Sequence, residues 1–471
     1  MARSSRQTDF FRFREQFPAF IFEKQEFSMT PRGLDIRFTF NLAGKHQFYP
    51  TLFIPRKSFF LPDEEIANHL DSIVFNLGMI ELISYWKAAC PPKVIIKPYA
   101  LHTDQVQWWK KIYFNGLGEF FYLNSIEVTE ENFMEIECAA NFVETYSSFI
   151  ELHSSASQQI ENKVIIPVGG GKDSAVTLEL LGNRFSGIPL ILNPRGASLD
   201  TIAAKGFTPD QMIGIQRTID PGLLKLNDLG FLNGHTPFSA LLAFVTVLGA
   251  ILTGHRNIAL SNESSANEAT VEGTEINHQY SKSFRFESDF RDYVKRWICD
   301  DINYFSFLRP LNELQIASLF ATFSRYHPVF KSCNAGSKAN RWCGQCAKCL
   351  FTYIILSPFL QQAQLVHIFG KNLLDDGSLK PLFDQLTGLA DEKPFDCVGT
   401  IREVNLALCE TIRQTNESAL PFLLIYYKNS GKYLQYKRID FKTELLQLSD
   451  EHHLLPEFLS IVQEWLGRIN G

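Results

Sequence analysis

Residues 164–174, Val-Ile-Ile-Pro-Val-Gly-Gly-Gly-Lys-Asp-Ser, join a short apolar run to three glycines and a Lys-Asp-Ser triplet. The helix-compatible segment 175–181, Ala-Val-Thr-Leu-Glu-Leu-Leu, follows at once. Strand, glycine turn and helix start are the layout of a phosphate cradle, because glycine leaves the backbone amides accessible and a helix N-terminus carries positive partial charge. The stretch therefore predicts an anion-binding loop. The alternative is an ordinary glycine-rich turn between a strand and a helix.

The side chains that open this helix suit a nucleotide. Lys172 is a mobile cation, Asp173 can hold a metal ion or cap the helix, and Ser174 can donate to a phosphate oxygen. The spacing is not that of a Walker A loop, which requires Gly-x-x-x-x-Gly-Lys followed by Ser or Thr. We predict that the nucleotide-binding loop consists of Gly169, Gly170, Gly171, Lys172, Asp173 and Ser174.

The composition is that of a globular protein. The chain has 471 residues, is 45% hydrophobic and 20% charged, and has a formal net charge of −6. The length predicts two or three domains, and the acidic charge argues against a nucleic-acid partner. Residues 1–9 contain no apolar segment of a signal peptide, so we expect a cytoplasmic protein. The longest apolar run, Phe238 to Thr253, is shorter than a membrane span and predicts a buried helix.

Three consecutive domains are predicted. Residues 1–155 form an α+β domain, in which 37–42 and 47–55 read as strands of an antiparallel sheet. The polar stretch from Ser154 to Asn162 reads as a linker. Residues 156–360 would form the nucleotide-binding domain, and residues 361–471 a mainly helical domain.

Strands and helices alternate in the middle domain, which predicts an α/β fold with a doubly wound parallel sheet. The strands are predicted at 164–168, 188–193, 212–215 and 258–260. Ligands of such sheets bind at the carboxyl ends of the strands. Polar residues follow two of these strands and are further candidates for nucleotide contacts: Asn193, Arg195, Asn262 and Glu263. Surface salt bridges and solvated loops are the alternatives.

Four cysteines give the strongest metal signal. Cys333, Cys343, Cys346 and Cys349 have the spacing Cys-x9-Cys-x2-Cys-x2-Cys. Four thiolates at this spacing suit tetrahedral zinc, and a site with four protein ligands is structural rather than catalytic. An iron–sulfur cluster uses the same ligands. Reduced cysteines without a metal are the remaining alternative.

Two further segments carry candidate catalytic groups. His278, Lys282 and Arg285 could meet an anionic substrate or a departing pyrophosphate. Cys397, in the segment 393–400, could transfer a proton if its thiol pKa is lowered. The alternatives are a solvated loop for the first segment and a buried inert cysteine for the second. Two tryptophans, Trp108 and Trp109, could stack on a base or pack against a neighbouring domain.

These motifs resemble two families. The glycine loop resembles the Ser-Gly-Gly-x-Asp-Ser pyrophosphate loop of enzymes that cleave ATP to AMP and pyrophosphate, with Gly169 in place of the first serine. Together with the four cysteines it resembles the 7-cyano-7-deazaguanine synthases over the middle domain only. The fuller resemblance, over most of the chain, is to the bacterial UDP-N-acetylmuramoyl-L-alanyl-L-glutamate epimerases. It rests on residues 168–174, 233–238, 277–283, the four cysteines and 393–399.

The epimerase resemblance implies a pyrophosphate-loop fold and a cytoplasmic enzyme of peptidoglycan synthesis. It implies inversion of the terminal L-Glu of the UDP-muramoyl dipeptide, with ATP, Mg²⁺ at Asp173 and structural Zn²⁺. The candidate catalytic residues are then Cys397, His278, Lys172 and Lys282, the first two as the proton-transfer pair. Two alternatives stay open: another AMP-forming synthase, acting in amide or nitrile formation or on an RNA base, and a zinc-stabilised protein that only binds nucleotide.

Overall fold

The computed structural model describes residues 5–139, 163–182, 184–267, 279–394 and 396–470. The predicted linker at 154–162 and the candidate His278 lie outside these residues. Strands and helices are both plentiful, so the mixed α/β class is confirmed. The doubly wound pyrophosphate-loop architecture stays a prediction. Within the described ranges, no helix has the length and apolar character needed to cross a membrane.

The strands of the described residues are β1 (Ala19–Thr30), β2 (Gly33–Leu42), β3 (His46–Phe48), β4 (Thr51–Pro55), β5 (Lys93–Ile96), β6 (Glu135–Cys138), β7 (Lys163–Pro167), β8 (Ser186–Leu192), β9 (Ile213–Thr218), β10 (Asn257–Leu260) and β11 (Asn303–Ser306).

The helices are α1 (Gln7–Gln16), α2 (Asp63–Trp86), α3 (Thr103–Gly116), α4 (Gly118–Leu123), α5 (Lys172–Leu181), α6 (Gly196–Lys205), α7 (Pro221–Asp228), α8 (Phe238–Thr253), α9 (Phe284–Trp297), α10 (Glu313–Thr322), α11 (Ala347–Leu356), α12 (Gln362–Phe369), α13 (Lys380–Thr387), α14 (Ile401–Gln414), α15 (Phe422–Lys428), α16 (Gly431–Tyr436), α17 (Phe441–Glu444) and α18 (Pro456–Asn470).

The chain forms two compact units, each assembled from three segments. Unit 1 consists of residues 1–161, 213–258 and 280–303, and unit 2 of residues 162–212, 259–279 and 304–471. The chain passes from one unit to the other within β10 and within β11. The three consecutive domains predicted from the sequence stay a prediction.

Unit 1 is built on a mixed sheet with the strand order β9-β4-β2-β1-β5-β6, and β3 pairs with β2. β2 pairs antiparallel with β1 and β4, as the sequence predicted for this region. β5 pairs parallel with β1 and β6. β9, which the sequence placed in the parallel sheet of the middle domain, pairs antiparallel with β4 in this unit. The apolar run predicted as a buried helix is α8.

Unit 2 contains strands in the order β11-β10-β7-β8, with β7 and β8 parallel. Val164, Ile165 and Ile166 of β7 are fully buried. A strand covered on both faces reads as a continuous apolar run instead of alternating, which is what the sequence shows. Each such side chain contributes about 1.5–3 kcal/mol on burial. The helices of residues 361–470 confirm the predicted helical character of the C-terminal part.

The loop after β7 lies directly against the start of α6. Gly170 has a φ of +86°, and a Cβ on this residue would come within 2.6 Å of the backbone of Ala197 and Ser198. A left-handed φ and a backbone neighbour both require glycine at this position. Gly169 has neither restriction, because no atom lies within 4 Å of a Cβ built there.

We predict that Gly170→Ala lowers the free energy of unfolding by about 1–3 kcal/mol, because the alanine is strained and displaces α6. Urea denaturation followed by circular dichroism measures the change. Gly169→Ala is the matched control and should stay within about 0.5 kcal/mol of the unsubstituted protein. Equal effects of the two alanines would contradict the close approach described here.

Candidate functional site

The predicted phosphate loop has the expected strand–turn–helix geometry. β7 ends at Pro167 and α5 begins at Lys172, with Gly171 at the N-cap in extended conformation. The Ser174 hydroxyl accepts a hydrogen bond from the Gly170 amide (3.1 Å) and donates to the Gly171 carbonyl (3.0 Å). The hydroxyl that the sequence assigned to a phosphate thus also closes the loop. The N-terminus of α5 supplies positive partial charge at the same place.

Lys172 is buried, with 5% of its side chain exposed. Its ammonium forms ion pairs with Asp173 and with Glu313 at the first position of α10, which is equally buried. Burial by itself lowers the pKa of Lys172, but the two carboxylates outweigh it and raise the pKa above the usual value. Lys172 therefore carries its charge at neutral pH. An ammonium has three N–H groups, and the contacts with described residues use two of them. The third is the one that the predicted phosphate contact requires.

Glu313 was not among the candidates from the sequence. It lies 141 positions after Lys172 and opens an ordinary helix, so no local motif marks it. Burial raises the pKa of the Glu313 carboxyl well above its usual value, despite the opposing charge of Lys172. The only sequence signal was the capping box of Asn312 and Gln315, which places a helix start at this point.

Two residues predicted to contact the nucleotide, Asn262 and Glu263, lie in unit 2, in the loop that follows β10. Asn262 donates to the Ser306 hydroxyl at 3.0 Å, and the Glu263 carbonyl accepts from Arg309 at 2.6 Å. The carboxylate of Glu263 is buried, and its charge contributes to the raised pKa of Glu313. Glu263 therefore belongs to the electrostatic surroundings of the Lys172 ion pair.

The loop after β8 leads into α6. Asn193 has a left-handed φ of +57°, and Arg195 is exposed. The Arg195 carbonyl accepts from the Ser198 hydroxyl at 2.7 Å. Because Gly170 packs against Ala197, the loops that follow β7 and β8 adjoin each other. Arg195 lies two residues before Ala197, and an exposed guanidinium is a group that binds phosphate or carboxylate oxygens.

The four cysteines converge as predicted. Their Sγ atoms all lie within 4.8 Å of one another, with pairs at 3.4, 3.6 and 3.8 Å. Zinc–sulfur bonds of about 2.3 Å in a tetrahedron place the sulfurs about 3.8 Å apart. The Gly336 amide donates to the Cys333 sulfur at 3.1 Å, which stabilises a thiolate. The cluster thus fits a structural metal ion such as zinc.

The cysteine cluster and the phosphate loop are joined by one short segment. The Lys331 amide donates to the Gly170 carbonyl at 2.8 Å, and the Cβ of Ser332 would lie 3.4 Å from a Cβ on Gly171. Cys333 follows immediately. A metal held by Cys333 therefore also fixes the backbone that supports the glycine loop.

The segment that carries Cys397 belongs to the same unit. Cys397 is half-buried. Next to it, the Asp396 carboxylate accepts from the Asn334 amide at 2.5 Å, one residue beyond the zinc-ligand candidate Cys333. The Lys393 ammonium donates to the Gly399 carbonyl at 3.1 Å. Tertiary folding thus brings this C-terminal motif to the segment that supports the loop.

The other predicted catalytic residues lie elsewhere in the chain. Lys282 is half-buried in unit 1, in the 3-10 turn Tyr280–Lys282 that precedes α9. His278 lies outside the described residues, so its pairing with Cys397 stays a prediction. Lys172 is the predicted catalytic residue with the most fully defined surroundings.

The aromatic residues of α3 are packing residues. Trp109 is fully buried and donates to the Tyr293 hydroxyl at 3.1 Å. Trp108 donates to the Asp289 carbonyl at 3.1 Å and stacks on Tyr293 with ring centroids 4.0 Å apart. The buried face of these rings is thus occupied within unit 1 itself, and Trp109 has no surface left for a base.

His235 forms part of the turn that enters α8. Its ring lies 3.3 Å from the Glu119 carboxylate, and the buried Lys87 donates to the neighbouring Gly234 carbonyl. These contacts hold the turn at the start of α8.

We predict that the protein purifies with stoichiometric zinc and that Cys346→Ser removes it, because three thiolates no longer enclose the ion. Elemental analysis measures the metal, and thermal unfolding should show a lower midpoint for the variant. Cys138→Ser replaces a half-buried cysteine of β6 and should retain the metal. A full zinc content in Cys346→Ser would rule out the four-cysteine site.

Comparison with known proteins agrees with these motifs. The family model described as MurL N-terminal domain matches residues 12–307, and the MurL C-terminal domain matches residues 329–435. A UDP-N-acetyl-alpha-D-muramoyl-L-alanyl-L-glutamate epimerase of Xanthomonas oryzae pv. oryzae is 36% identical over 70% of this chain and 72% of its own. Epimerases of the same name are 33% identical in Micromonospora sp. (78% and 80% covered) and 32% identical in Salinispora tropica (78% of each chain).

No solved structure matches the chain. Two family models in sequence order and relatives above 30% identity over most of the chain leave one assignment: the chain belongs to the family of UDP-N-acetylmuramoyl-L-alanyl-L-glutamate epimerases.

Proposed function

We propose that this protein is an ATP-dependent epimerase that converts the terminal L-Glu of UDP-N-acetylmuramoyl-L-alanyl-L-glutamate to D-Glu in cytoplasmic peptidoglycan synthesis. The substrate comes from the name of the relatives. The loop after β7 supports the use of ATP. The observation that carries it is the buried Lys172 ammonium, held by Asp173 and Glu313 at the start of a helix that follows three glycines.

The chemistry gives ATP a clear purpose. Removing the Cα proton next to a free carboxylate would place two negative charges together. If a glutamate carboxylate oxygen attacks the α-phosphorus of ATP, pyrophosphate leaves and an acyl-adenylate forms. Its neutral carbonyl can accept the electron pair of the breaking Cα–H bond. A proton returned to the opposite face inverts the centre, and water then releases AMP and the D-glutamate carboxylate.

Lys172 would stabilise the charge that develops on the phosphates during adenylation. Electrostatic groups placed before the reaction are worth most where water is excluded, and this ammonium is already buried. Asp173, about a third exposed, offers the oxygen ligand that Mg²⁺ prefers. A bound Mg²⁺ would neutralise phosphate charge. Arg195 would contact phosphate or carboxylate oxygens from the adjoining loop.

Cys397 is the proposed acid or base at the Cα atom. Its thiol can exchange a proton with carbon, and Asp396 and Lys393 are both held by hydrogen bonds to nearby backbone or side-chain groups. His278 is the proposed partner on the opposite face. Lys282 is proposed to contact an anionic group of the substrate.

Phosphorus NMR with ATP, Mg²⁺ and the UDP-linked dipeptide tests the proposal. AMP and pyrophosphate should form only when the dipeptide is present, and chiral analysis should find D-Glu. AMP formation that does not depend on the dipeptide would favour another AMP-forming synthase. Epimerisation without AMP formation would remove adenylation from the mechanism. The absence of both activities would favour a protein that only binds nucleotide.

We predict that Lys172→Ala lowers the rate of AMP formation by about 100-fold or more, because one charge contact to the transition state is lost. The same phosphorus NMR assay measures the rate. Lys205→Ala is the control. The Lys205 ammonium lies 3.1 Å from the Glu179 carboxylate, and this ion pair does not include a residue of the loop. Comparable losses in both variants would indicate damage to the fold and no specific role for Lys172.

We predict that Cys397→Ser still forms AMP but incorporates deuterium at the glutamate Cα at least about 100-fold more slowly in D₂O, since a serine hydroxyl is a far weaker acid than a thiol. Proton NMR of the recovered dipeptide measures the exchange. Cys138→Ser should exchange normally. Exchange at the unsubstituted rate in Cys397→Ser would exclude this cysteine.

A further inference from the structure

We infer that Glu403 and Glu313 form a positioning relay that fixes the Lys172 ammonium and ties it to the segment that carries Cys397. The inference rests on the proposed ATP-dependent function and adds two residues to it. Both are positioning residues and not catalytic residues. Each acts through the groups that it holds, and the relay runs from Thr400 through Glu403 and Glu313 to Lys172.

Glu403 is the centre of this relay. Its side chain is buried, with 3% of the residue exposed. One carboxylate oxygen accepts from the Thr400 amide (2.6 Å) and hydroxyl (2.7 Å), and the other accepts from the Glu313 amide (2.8 Å). Thr400 is the N-cap of α14, and Glu313 is the first residue of α10. One carboxylate thus satisfies amides at the N-termini of two helices.

A capping box alone would not need the second contact. In that motif, the glutamate at the third helical position binds only the N-cap of its own helix. Here Glu403 also binds a backbone amide 90 residues earlier in the chain. That amide belongs to the residue whose side chain pairs with Lys172. The backbone position of Glu313, and so the reach of its carboxylate, depends on Glu403.

The segment with Cys397 is anchored on both sides of the cysteine. After it, Gly399 packs so closely that a Cβ would lie 2.9 Å from the Glu403 carboxylate and 3.0 Å from the Glu313 side chain. Before it, Asp396 binds Asn334. A shift of Glu403 would therefore move both the ATP-loop lysine and the segment that carries the proposed proton-transfer residue.

The charge balance supports a role beyond stability. The carboxylates of Glu263, Glu313 and Glu403 are all buried near one another, and burial raises the pKa of Glu403 as it does that of Glu313. Glu313 has the Lys172 ammonium as its partner, whereas the contacts of Glu403 within the described part of the chain are two amides and a hydroxyl. Burial of a carboxyl group on such terms is costly, so a fold selected only for stability has little use for it. Perturbed carboxyl groups of this kind are concentrated at functional sites.

Glu179 of α5 is a buried glutamate of the same unit whose contacts are purely structural, unlike those of Glu313 and Glu403. It has its own cation, Lys205, at 3.1 Å, and accepts from the Tyr326 hydroxyl at 2.7 Å. These two partners lower its pKa against the opposing effect of burial. Glu179 is buried to a similar degree and lies on the helix that Lys172 opens, so it is a matched control.

The test is the steady-state rate of AMP formation in Glu403→Gln, Glu313→Gln, the double variant and Glu179→Gln. We predict that kcat/KM for ATP falls about 10- to 100-fold in each relay variant, as expected when a catalytic group is displaced by about 1 Å. The double variant should lose no more than about twice the larger single loss, because both substitutions break one relay. Glu179→Gln should lower the unfolding midpoint and leave kcat/KM within about twofold of the unsubstituted value.

The outcomes separate the inference from the function on which it rests. If the unsubstituted protein forms no AMP, the proposed function fails. If it forms AMP but the relay variants behave like Glu179→Gln, or if the losses multiply in the double variant, the relay is overturned. Should Glu403→Gln not fold, Thr400→Ala removes one hydroxyl contact to Glu403 and leaves the backbone contact. This variant should then lose about threefold in kcat/KM, the share of one weak hydrogen bond, and an unchanged value would overturn the relay.

Discussion

The ion pair between Lys172 and Glu313 is the interaction on which the candidate site of unit 2 depends. Both groups are removed from water, so each needs the other. Deleting one partner of such a pair costs about 3–5 kcal/mol, because the remaining charge stays buried. The pair joins the start of α5 to the start of α10, two helices that pack on each other. Local rigidity and the proposed nucleotide chemistry therefore depend on the same contact.

Helix N-termini provide the background field of this site. α5 and α10 begin at the two members of the ion pair, α14 begins next to Glu403, and α6 begins beside Gly170. Each N-terminus contributes roughly half a positive charge. The carboxylates of Glu313 and Glu403 neutralise part of this positive charge. The part at the glycine loop is available to an anion. The cysteine cluster contributes by holding residues 331–333 against that loop.

Local patterns explain which features could be predicted from the sequence. The strand, loop and helix at 163–181 and the four cysteines are continuous motifs, and the structure places them as expected. Glu313 and Glu403 could not be identified, because each reads as an ordinary glutamate in the first turn of a helix. Their roles depend on contacts across 141 and 90 positions of the chain. The strand predicted at 212–215 is present as β9, but its antiparallel pairing with β4 could not be predicted, since β4 belongs to a distant segment.

The three-segment construction of each unit has a consequence for synthesis on the ribosome. Unit 1 lacks its last segment until residue 303 has been made. By then, residues 163–212 of unit 2 have long left the ribosome without α10, α11 and α14, the helices that cover its apolar core. Exposed apolar strands of an incomplete domain tend to aggregate. The apolar residues of nascent β7 and β8 therefore stay uncovered until these three helices have been made.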